Sequence, residues 1–166
     1  THLILSLREV TAQMPQAQLL VVGDGDDRAR LERLAAHHGL AQTVRFTGSL
    51  PETRVALSVM DLFVFLPATK EGFGLSLLEA MASARPIVAI RRGEGAPWVL
   101  EEAGVGVLVE PEDPNRLAET IVQVLREPAK ARALGAHAQA VAKARYDDAR
   151  MIEQVEQVYA EAIRSG

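Results

Sequence analysis

The sequence predicts an α/β fold in which a parallel β-sheet is covered by helices on both faces. Short apolar runs rich in Val, Ile and Phe alternate with amphipathic stretches along most of the chain, which is the pattern of consecutive βα units. Three of these runs are almost wholly apolar, as expected of strands that are buried on both faces. We therefore expect a Rossmann-like three-layer α/β/α architecture with a helical C-terminal tail.

The elements can be placed in order along the chain. Residues 1–15 favour a helix, with no strand before it. Asp27 is the expected N-cap of the next helix, and Gly39 is its expected C-terminal stop. The predicted strands are 17–23, 43–48, 62–67, 85–91 and 105–110, and the predicted helices between them are 27–39, 51–60 and 74–84. Beyond residue 110 only helices are expected: one with Pro114 in its first turn, then two more at about 128–145 and 147–165.

Length and composition predict one domain and exclude several function classes. The 166 residues are 48% apolar, which is enough for one full core over residues 1–166. There are 18 basic and 22 acidic residues, and Lys and Arg do not interleave with aromatic side chains as they do on nucleic-acid-binding surfaces. We therefore expect no nucleic-acid partner. The absence of cysteine also excludes disulfides and thiolate metal sites.

The hydropathy and the first residues of the sequence predict the cellular location of the protein and whether its domain is complete. No apolar run approaches the roughly 18 residues of a transmembrane helix, and no signal peptide opens the chain. We expect a cytoplasmic protein, with peripheral attachment to the inner membrane face left open for the full-length form. Because a sheet of this type normally begins with a strand, we also expect the domain to be truncated at its N-terminus.

Candidate binding residues follow the predicted strands. In open parallel sheets, ligands bind outside the carboxyl ends of the strands. The turns at these ends supply glycines for close backbone approach, Lys70, Arg91 and Arg92 for anions, and Glu71 and Glu79 for hydroxyl groups. This combination favours a nucleotide that carries a sugar.

The stretch "EGFGLSLLEA" at 71–80 is the most informative of these turns. Its helix would begin near Gly74, where free backbone N–H groups and the helix dipole attract an anion such as a phosphate. Side chains on a helix lean toward its N-terminus, so Glu79 can reach the ligand end. We expect Glu71 and Glu79 to accept hydrogen bonds from vicinal diols, while the amides of 72–75 hold phosphate oxygens.

Other polar clusters have simpler interpretations. The acidic "DGDD" at 24–27 lacks the glycine and final glutamate of an EF-hand loop, so we interpret these residues as a turn and a helix cap. His37 and His38 are adjacent and face different sides of a helix. Ser76 lacks the G-x-S-x-G context of a nucleophile elbow, and Trp98 is expected to pack rather than bind. We expect no metal site.

The stretch "LPATKEGFGLSLLEAMASARPIVA" resembles the signature of the retaining glycosyltransferases with a GT-B fold, the glycosyl transferases group 1 or glycosyltransferase 4-like family. That signature has E-G-F-G after a strand, seven residues between two glutamates, and a further apolar strand. The similarity extends through "LLVVGDGDDRARLERLAAHHGLAQTVRFTGSLPE" and "GVGVLVEPEDPNRLAETI". It implies that residues 1–166 are the C-terminal, donor-binding half of a two-domain enzyme whose acceptor-binding half is missing.

The resemblance also implies roles for individual residues. Glu79 would bind the ribose of a UDP-, GDP- or ADP-sugar, and Glu71 would act at the transferred hexose. Gly23 and Lys70 would belong to the donor site. Backbone groups would bind sugar, phosphate and base at Gly72, Phe73, Gly74 and Leu75 and at Gly48, Ser49 and Leu50.

In this family an Arg and a Lys that precede the first helix also clamp the phosphates, and both are absent here. No cofactor or metal is implied, and the isolated chain is expected to be inactive. One departure is "EGAPW", since the family usually has a Gly-Gly pair and a Glu at the position of Trp98.

Two alternatives remain open from the sequence. The first is a non-catalytic nucleotide or nucleotide-sugar binding module of the same fold, although the presence of both Glu71 and Glu79 argues against it. The second is an NAD-type Rossmann domain, but "GDGDD" does not provide a G-x-G-x-x-G turn after a first strand.

Overall fold

The computed structural model of the chain describes residues 2–67, 74–111 and 113–165. In these ranges, strands and helices alternate up to residue 109, and helices follow. The strands are β1 (Leu19–Val22), β2 (Val44–Gly48), β3 (Phe63–Phe65), β4 (Ile87–Ile90) and β5 (Val107–Val109). The helices are α1 (His2–Gln13), α2 (Arg28–His37), α3 (Thr53–Ser58), α4 (Leu75–Ala82), α5 (Gly95–Ala103), α6 (Pro114–Arg126), α7 (Pro128–Arg145) and α8 (Asp148–Ser165).

The predicted elements are confirmed in type and order, and most are shorter than predicted, but α5 lies in a stretch where no helix was predicted. Gly39 follows α2 with a φ of +73°, as expected of a helix stop. Asp27 occupies the N-cap position of α2, as predicted, but its carboxylate accepts no capping hydrogen bond. It instead accepts a hydrogen bond from Arg30 Nε at 2.8 Å, which lowers the pKa of Asp27.

The sheet is parallel, as predicted, but it is divided. Among the described residues, β1 pairs only with β2, forming a two-stranded part. The strands β3, β4 and β5 pair in that order, forming a three-stranded part. No described strand lies between β1 and β3.

Two apolar cores cover the two faces of the sheet, as the three-layer prediction requires. Val88 and Ile90 of β4 join a core with α1, α2 and α6. Ile87 and Ala89 of the same strand join a second core with α3, α4, α5 and α7. This alternation along β4 follows from the two-residue period of side chains on a strand. All four residues are buried, so β4 is a central strand.

The three C-terminal helices differ in their packing. Pro114 begins α6 as predicted, and Asp113 caps this helix by accepting a hydrogen bond from the amide of Arg116 at 2.8 Å. α7 packs against α4. The side chains of α8 are exposed from Asp148 to Arg164, including several apolar ones. Among the helices that the structure describes, none has the length and apolar character needed to cross a membrane.

Candidate functional site

The candidate site is built around Glu79, which lines a cavity of about 880 Å³. The cavity is also lined by residues of β1 in the two-stranded part and of β3 in the three-stranded part of the sheet, whereas Gly23, Gly48 and Gly74 are not among its lining residues. Most of its lining is apolar. Polar side chains that contribute to the lining include Thr53, Ser76 and Glu79.

Packing of α4 determines the direction of Glu79. Leu77, Ala80 and Met81 are completely buried against the second core, so the opposite face of the helix points outward. Ser76 and Glu79 are three residues apart on that face and both are exposed. The prediction that Glu79 faces the ligand-binding edge therefore agrees with its position at the cavity, while its role in binding stays a prediction.

Glu79 is held by a residue that the sequence analysis did not identify. The hydroxyl of Thr53, at the start of α3, donates a hydrogen bond of 3.0 Å to Oε2 of Glu79. This bond joins the turn after β2 to the helix that follows β3, across 26 residues of sequence. No sequence motif marks Thr53, since the bond depends on the tertiary approach of α3 and α4.

Gly74 is required by both backbone conformation and space. Its φ is +81°, in the left-handed region, and an added Cβ would lie 2.6 Å from Cζ of Phe65. The glycine therefore lets α4 begin directly against the end of β3. No side chain caps the start of α4. The amide of Leu77 already donates to the carbonyl oxygen of Gly74 at 2.9 Å, so an anion at this helix end would meet the amides that precede it, beginning with that of the exposed Leu75.

Gly23 and Gly48 are brought together, although they are 25 residues apart in sequence. The amide of Gly23 donates a hydrogen bond of 2.9 Å to the carbonyl oxygen of Gly48, so that amide is not free for a ligand. Gly48 has a φ of +71°. Beyond it, Ser49 is exposed and Leu50 is half-buried.

Arg28 is a second residue of this region that the sequence analysis missed. Its Nη1 would lie 3.3 Å from a Cβ added to Gly48, so the guanidinium covers the end of β2. Arg28 pairs with Asp24 at 3.1 Å and Glu32 at 2.8 Å, and the hydrogen bond to Glu32 is the main reason that its pKa is raised. The spacing of these three residues by four was the available signal.

The remaining predicted residues have different outcomes. Lys70, Glu71, Gly72 and Phe73 lie outside the described residues. Arg91 binds two carboxylates, Glu101 at 2.6 Å and Glu110 at 2.8 Å, and these hydrogen bonds raise its pKa. Arg91 therefore has less capacity for a phosphate than the sequence suggested.

Two further features bear on the chemistry of the site. Arg92 is the second residue after β4 and is half-buried. The prediction that Trp98 packs was wrong, because 56% of its surface is exposed on α5. Among the described residues, no group of three or more His, Asp or Glu side chains could hold a metal ion.

Comparison with protein families gives a match over residues 1–141 to the family described as Glycosyl transferases group 1. The chain belongs to this family. It is 34% identical over 152 residues to a GDP-mannose-dependent monoacylated alpha-(1-6)-phosphatidylinositol monomannoside mannosyltransferase of Corynebacterium glutamicum, covering 87% of this chain and 39% of that protein. It is 33% identical over 122 residues to the lipopolysaccharide core biosynthesis glycosyltransferase LpsE of Rhizobium meliloti, covering 74% of this chain and 35% of that protein.

Solved structures confirm the predicted fold of this glycosyltransferase chain. Sucrose-phosphate synthase from Thermosynechococcus elongatus superimposes with a TM-score of 0.83 at 32% identity, covering 99% of this chain and 43% of that one. Anabaena HepE in complex with UDP superimposes with a TM-score of 0.87 at 26% identity, covering 96% and 44%. The Rossmann-like domain of a GT-B glycosyltransferase is thus established. The chain spans less than half the length of these relatives.

Proposed function

We propose that this chain is the donor-binding domain of a glycosyltransferase that transfers a hexose from a nucleotide-diphosphate sugar to an acceptor hydroxyl, with retention of anomeric configuration. Its family membership supports glycosyl transfer. The HepE structures with UDP and with UDP-glucose support a nucleotide-sugar donor. The acceptor would be held by a further domain of the full-length protein.

The observation that carries the proposal is the hydrogen bond between Thr53 and Glu79. It occupies one carboxylate oxygen of Glu79 and fixes the side chain at the edge of the cavity. The second oxygen remains able to accept hydrogen bonds from the vicinal hydroxyls of a ribose. An ionised acceptor makes stronger hydrogen bonds than a neutral one, so this arrangement suits the sugar of a nucleotide.

The turns on either side of Glu79 support the rest of the donor. The start of α4 offers uncapped backbone amides and the positive end of a helix dipole, both of which suit a diphosphate. Ser49 and Leu50 follow β2 and precede Thr53, so main-chain groups of this turn are placed to contact the base if Glu79 binds the ribose. Gly23 would let the donor lie close to the backbone of this turn. Its amide would not bind the donor, because it already donates a hydrogen bond to Gly48.

The proposed reaction assigns the remaining residues by the family pattern. Glu71 would contact hydroxyls of the transferred hexose, and Lys70 with the amides of Gly72 and Phe73 would stabilise negative charge on the departing diphosphate. No metal ion is needed in this scheme. Orientation of donor and acceptor in one cleft can contribute about 7–11 kcal/mol to lowering the barrier, so the isolated chain should bind donor weakly and transfer nothing.

Binding of the donor by Glu79 can be tested by calorimetric titration of the full-length protein with UDP-, GDP- and ADP-sugars. Loss of a hydrogen bond to a charged group costs about 1.5–3 kcal/mol, so Glu79→Ala should weaken binding of the preferred donor roughly 10- to 150-fold. Glu52→Ala is the matched control, because Glu52 is an exposed acid one residue before Thr53 and pairs with the exposed Arg54 at 3.7 Å. Equal affinities of Glu79→Ala and Glu52→Ala would reject the role of Glu79.

The same titration tests the metal-free scheme and the retaining outcome. Affinity should be unchanged in EDTA, and a large loss that magnesium or manganese restores would reject the scheme. NMR of the first-formed product should show the anomeric configuration of the donor. An inverted product would reject retention without affecting the proposed donor site.

A further inference from the structure

Trp98 is an exposed aromatic side chain at the edge of the sheet where ligands bind. It is the fourth residue of α5, the helix that follows the buried strand β4, and the starts of such helices lie at the ligand-binding edge of a parallel sheet. Its surface is 56% exposed, although tryptophan is a highly buried residue type on average. The sequence departs from the family pattern at this position, so a role of Trp98 is particular to this chain.

The packing of α5 directs Trp98 outward among acidic side chains. The buried residues of the helix are Ala96, Pro97, Val99 and Leu100. The opposite face is exposed and carries Glu101 and Glu102, three and four residues after Trp98. One turn before it, the carbonyl oxygen of the exposed Glu94 accepts a hydrogen bond of 3.1 Å from the amide of Trp98. The indole therefore lies between carboxylates of the preceding and the following turn.

Ion pairs moderate the charge around the indole. Glu101 pairs with Arg91 at 2.6 Å, and Glu102 pairs with Arg145 at 3.0 Å. The carboxylate of Glu94 makes no capping hydrogen bond to α5. A cation over an aromatic ring would be favoured by unpaired acids, but two of these three acids are paired with arginines. The surroundings of Trp98 instead offer both hydrogen-bond acceptors and donors, which suits neutral hydroxyl groups.

A sugar ring combines the two properties that this surface can bind. The C–H groups on one face of a pyranose are apolar and slightly positive, so they match the electron-rich face of an indole ring. The hydroxyl groups at the rim of the same pyranose donate hydrogen bonds, and carboxylates are strong acceptors of such bonds. An alkyl chain would use the indole but would leave the neighbouring carboxylates without a partner.

The order of the strands places Trp98 relative to the donor. β4 pairs with β3, and α4 and α5 contribute to the same core, so the two helices begin side by side. A helix is about 10–12 Å across with its side chains, so Trp98 lies about one helix diameter from the start of α4. In the proposed function the base lies at the turn after β2 and the diphosphate at the start of α4. Trp98 is therefore on the side away from the base, where the acceptor approaches the hexose.

We propose that Trp98 is a binding platform for a pyranose ring of the acceptor, so that the acceptor carries a sugar. The apolar face of the ring stacks on the indole, and hydroxyls at its rim donate hydrogen bonds to Glu94 and Glu101. Trp98 binds and orients the acceptor and takes no part in making or breaking bonds. The inference rests on the proposed function for the identity of the ligand as acceptor, whereas binding of the ring can be measured without donor.

The test is titration of the full-length protein with the methyl α-glycosides of glucopyranose, mannopyranose and galactopyranose. Trp98 is the only tryptophan of the 166 residues, and the difference from Trp98→Phe isolates its fluorescence in the full-length protein. At least one glycoside should change this fluorescence saturably. In calorimetry, Trp98→Ala should weaken its binding about tenfold, equivalent to roughly 1.4 kcal/mol, and Trp98→Phe less, because an aromatic face remains. A saturable response to none of the three would overturn the proposal.

Tyr159→Ala is the matched control variant. Tyr159 is also an aromatic residue exposed on a helix, with 67% of its surface accessible, and it follows the exposed Glu156 by three residues on α8. Its substitution should leave glycoside binding unchanged, and equal losses in Tyr159→Ala and Trp98→Ala would overturn the proposal. Unchanged unfolding temperatures of both variants show that any loss of binding is not a loss of fold.

Two further probes separate the classes of ligand. Tetramethylammonium chloride presents a cation without hydroxyl groups, and glycerol presents hydroxyl groups without a ring. A saturable response to tetramethylammonium but to no glycoside would identify a cation site, and glycerol binding as tightly as the glycosides would show that no ring is recognised. Either result would overturn the proposal.

Titration with nucleotide sugars separates this inference from the proposed function. If a nucleotide sugar binds and no methyl glycoside does, the inference fails alone. If a glycoside binds at Trp98 and no nucleotide sugar binds, the proposed function fails and the acceptor assignment fails with it, while the ring-binding site remains. The glycoside should also bind in the presence of saturating nucleotide sugar. Displacement of the glycoside would show that Trp98 contacts the transferred hexose, and would overturn the assignment to the acceptor.

Discussion

The two parts of the sheet differ in burial although they have similar strands. All four residues of β4 in the three-stranded part are buried. All four residues of β1 in the two-stranded part are half-buried, although the sequence of β1 is Leu-Leu-Val-Val. The difference shows that an apolar run specifies a strand, whereas its burial depends on having a neighbour on each side.

The largest expected effect comes from truncating one side chain in each part. Ile87 is completely buried in β4, so Ile87→Ala should lower the free energy of unfolding by about 4 kcal/mol, toward the upper end of the range for buried sites. Leu20→Ala should cost only about 1 kcal/mol, because a half-buried leucine contributes roughly half of its full burial. Chemical denaturation of the 166-residue chain measures both values.

The same pair of variants tests the comparison directly. Equal costs of the two variants in the 166-residue chain would contradict the difference in burial.

The second-largest effect is a difference in stability between alanine variants of two glycines of the candidate site, Gly74 and Gly48. Gly74→Ala should cost about 2–4 kcal/mol, because left-handed strain of roughly 1–2 kcal/mol adds to a steric conflict with the ring of Phe65. Gly48→Ala should cost only the strain of about 1–2 kcal/mol, because its nearest neighbour is the flexible end of Arg28.

Gly39→Ala is the strain-only control, with a φ of +73° and no atom within 4 Å of an added Cβ. Thermal unfolding of the three variants should place Gly74→Ala apart from the other two. A Gly74→Ala variant as stable as Gly39→Ala would show that Phe65 moves aside freely.

The third effect concerns the donor. Extending the chain at its N-terminus by the segment that precedes it should tighten nucleotide-sugar binding at least about tenfold, equivalent to roughly 1.4 kcal/mol. The expected reason is that the extension supplies the cations that the family pattern places before the first helix. It should also raise the unfolding temperature by joining the two parts of the sheet. Equal affinity of both chains in calorimetry would place the phosphate clamp within the 166 residues.

The smallest effect comes from the ion pairs of the two parts. Arg91 links the end of β4 to α5 and to the residue after β5, whereas Arg28 links only Asp24 and Glu32 around the start of its own helix. Arg91→Gln should therefore destabilise more than Arg28→Gln, and both less than Gly74→Ala. The losses of stability in Arg91→Gln and in Arg28→Gln should both vanish in about 1 M salt, where the screening length is about 3 Å. Persistence of the Arg91 effect in salt would indicate lost packing instead.

Most of the fold could be predicted from the sequence because local patterns encode it. The apolar runs marked every strand, and Gly39 and Pro114 marked helix boundaries through their backbone restrictions. Asp27 shows the limit of such signals, since its carboxylate could pair with Arg30 as well as cap the helix. Trp98 shows another, because a large apolar side chain was expected to pack and is largely exposed on α5.

The candidate site was predictable only in part. Gly74 and Glu79 could be found because a helix start and its following turns are local. Thr53 could not, since its contact with Glu79 joins segments that are distant in sequence. The ion pairs of Arg28 follow a local spacing, but its position over Gly48 does not.

By itself the sequence determined the order of the strands and of the helices other than α5, the family, and the candidate residues for hydroxyl and phosphate contacts, because periodicity, glycine positions and motif spacing are properties of short segments. Tertiary structure alone decided that the turns of Gly23 and Gly48 meet, that Thr53 holds Glu79, and that β1 and β3 stand apart with an apolar gap between them. These features depend on which elements approach one another through packing across the sheet, and no short segment contains that information.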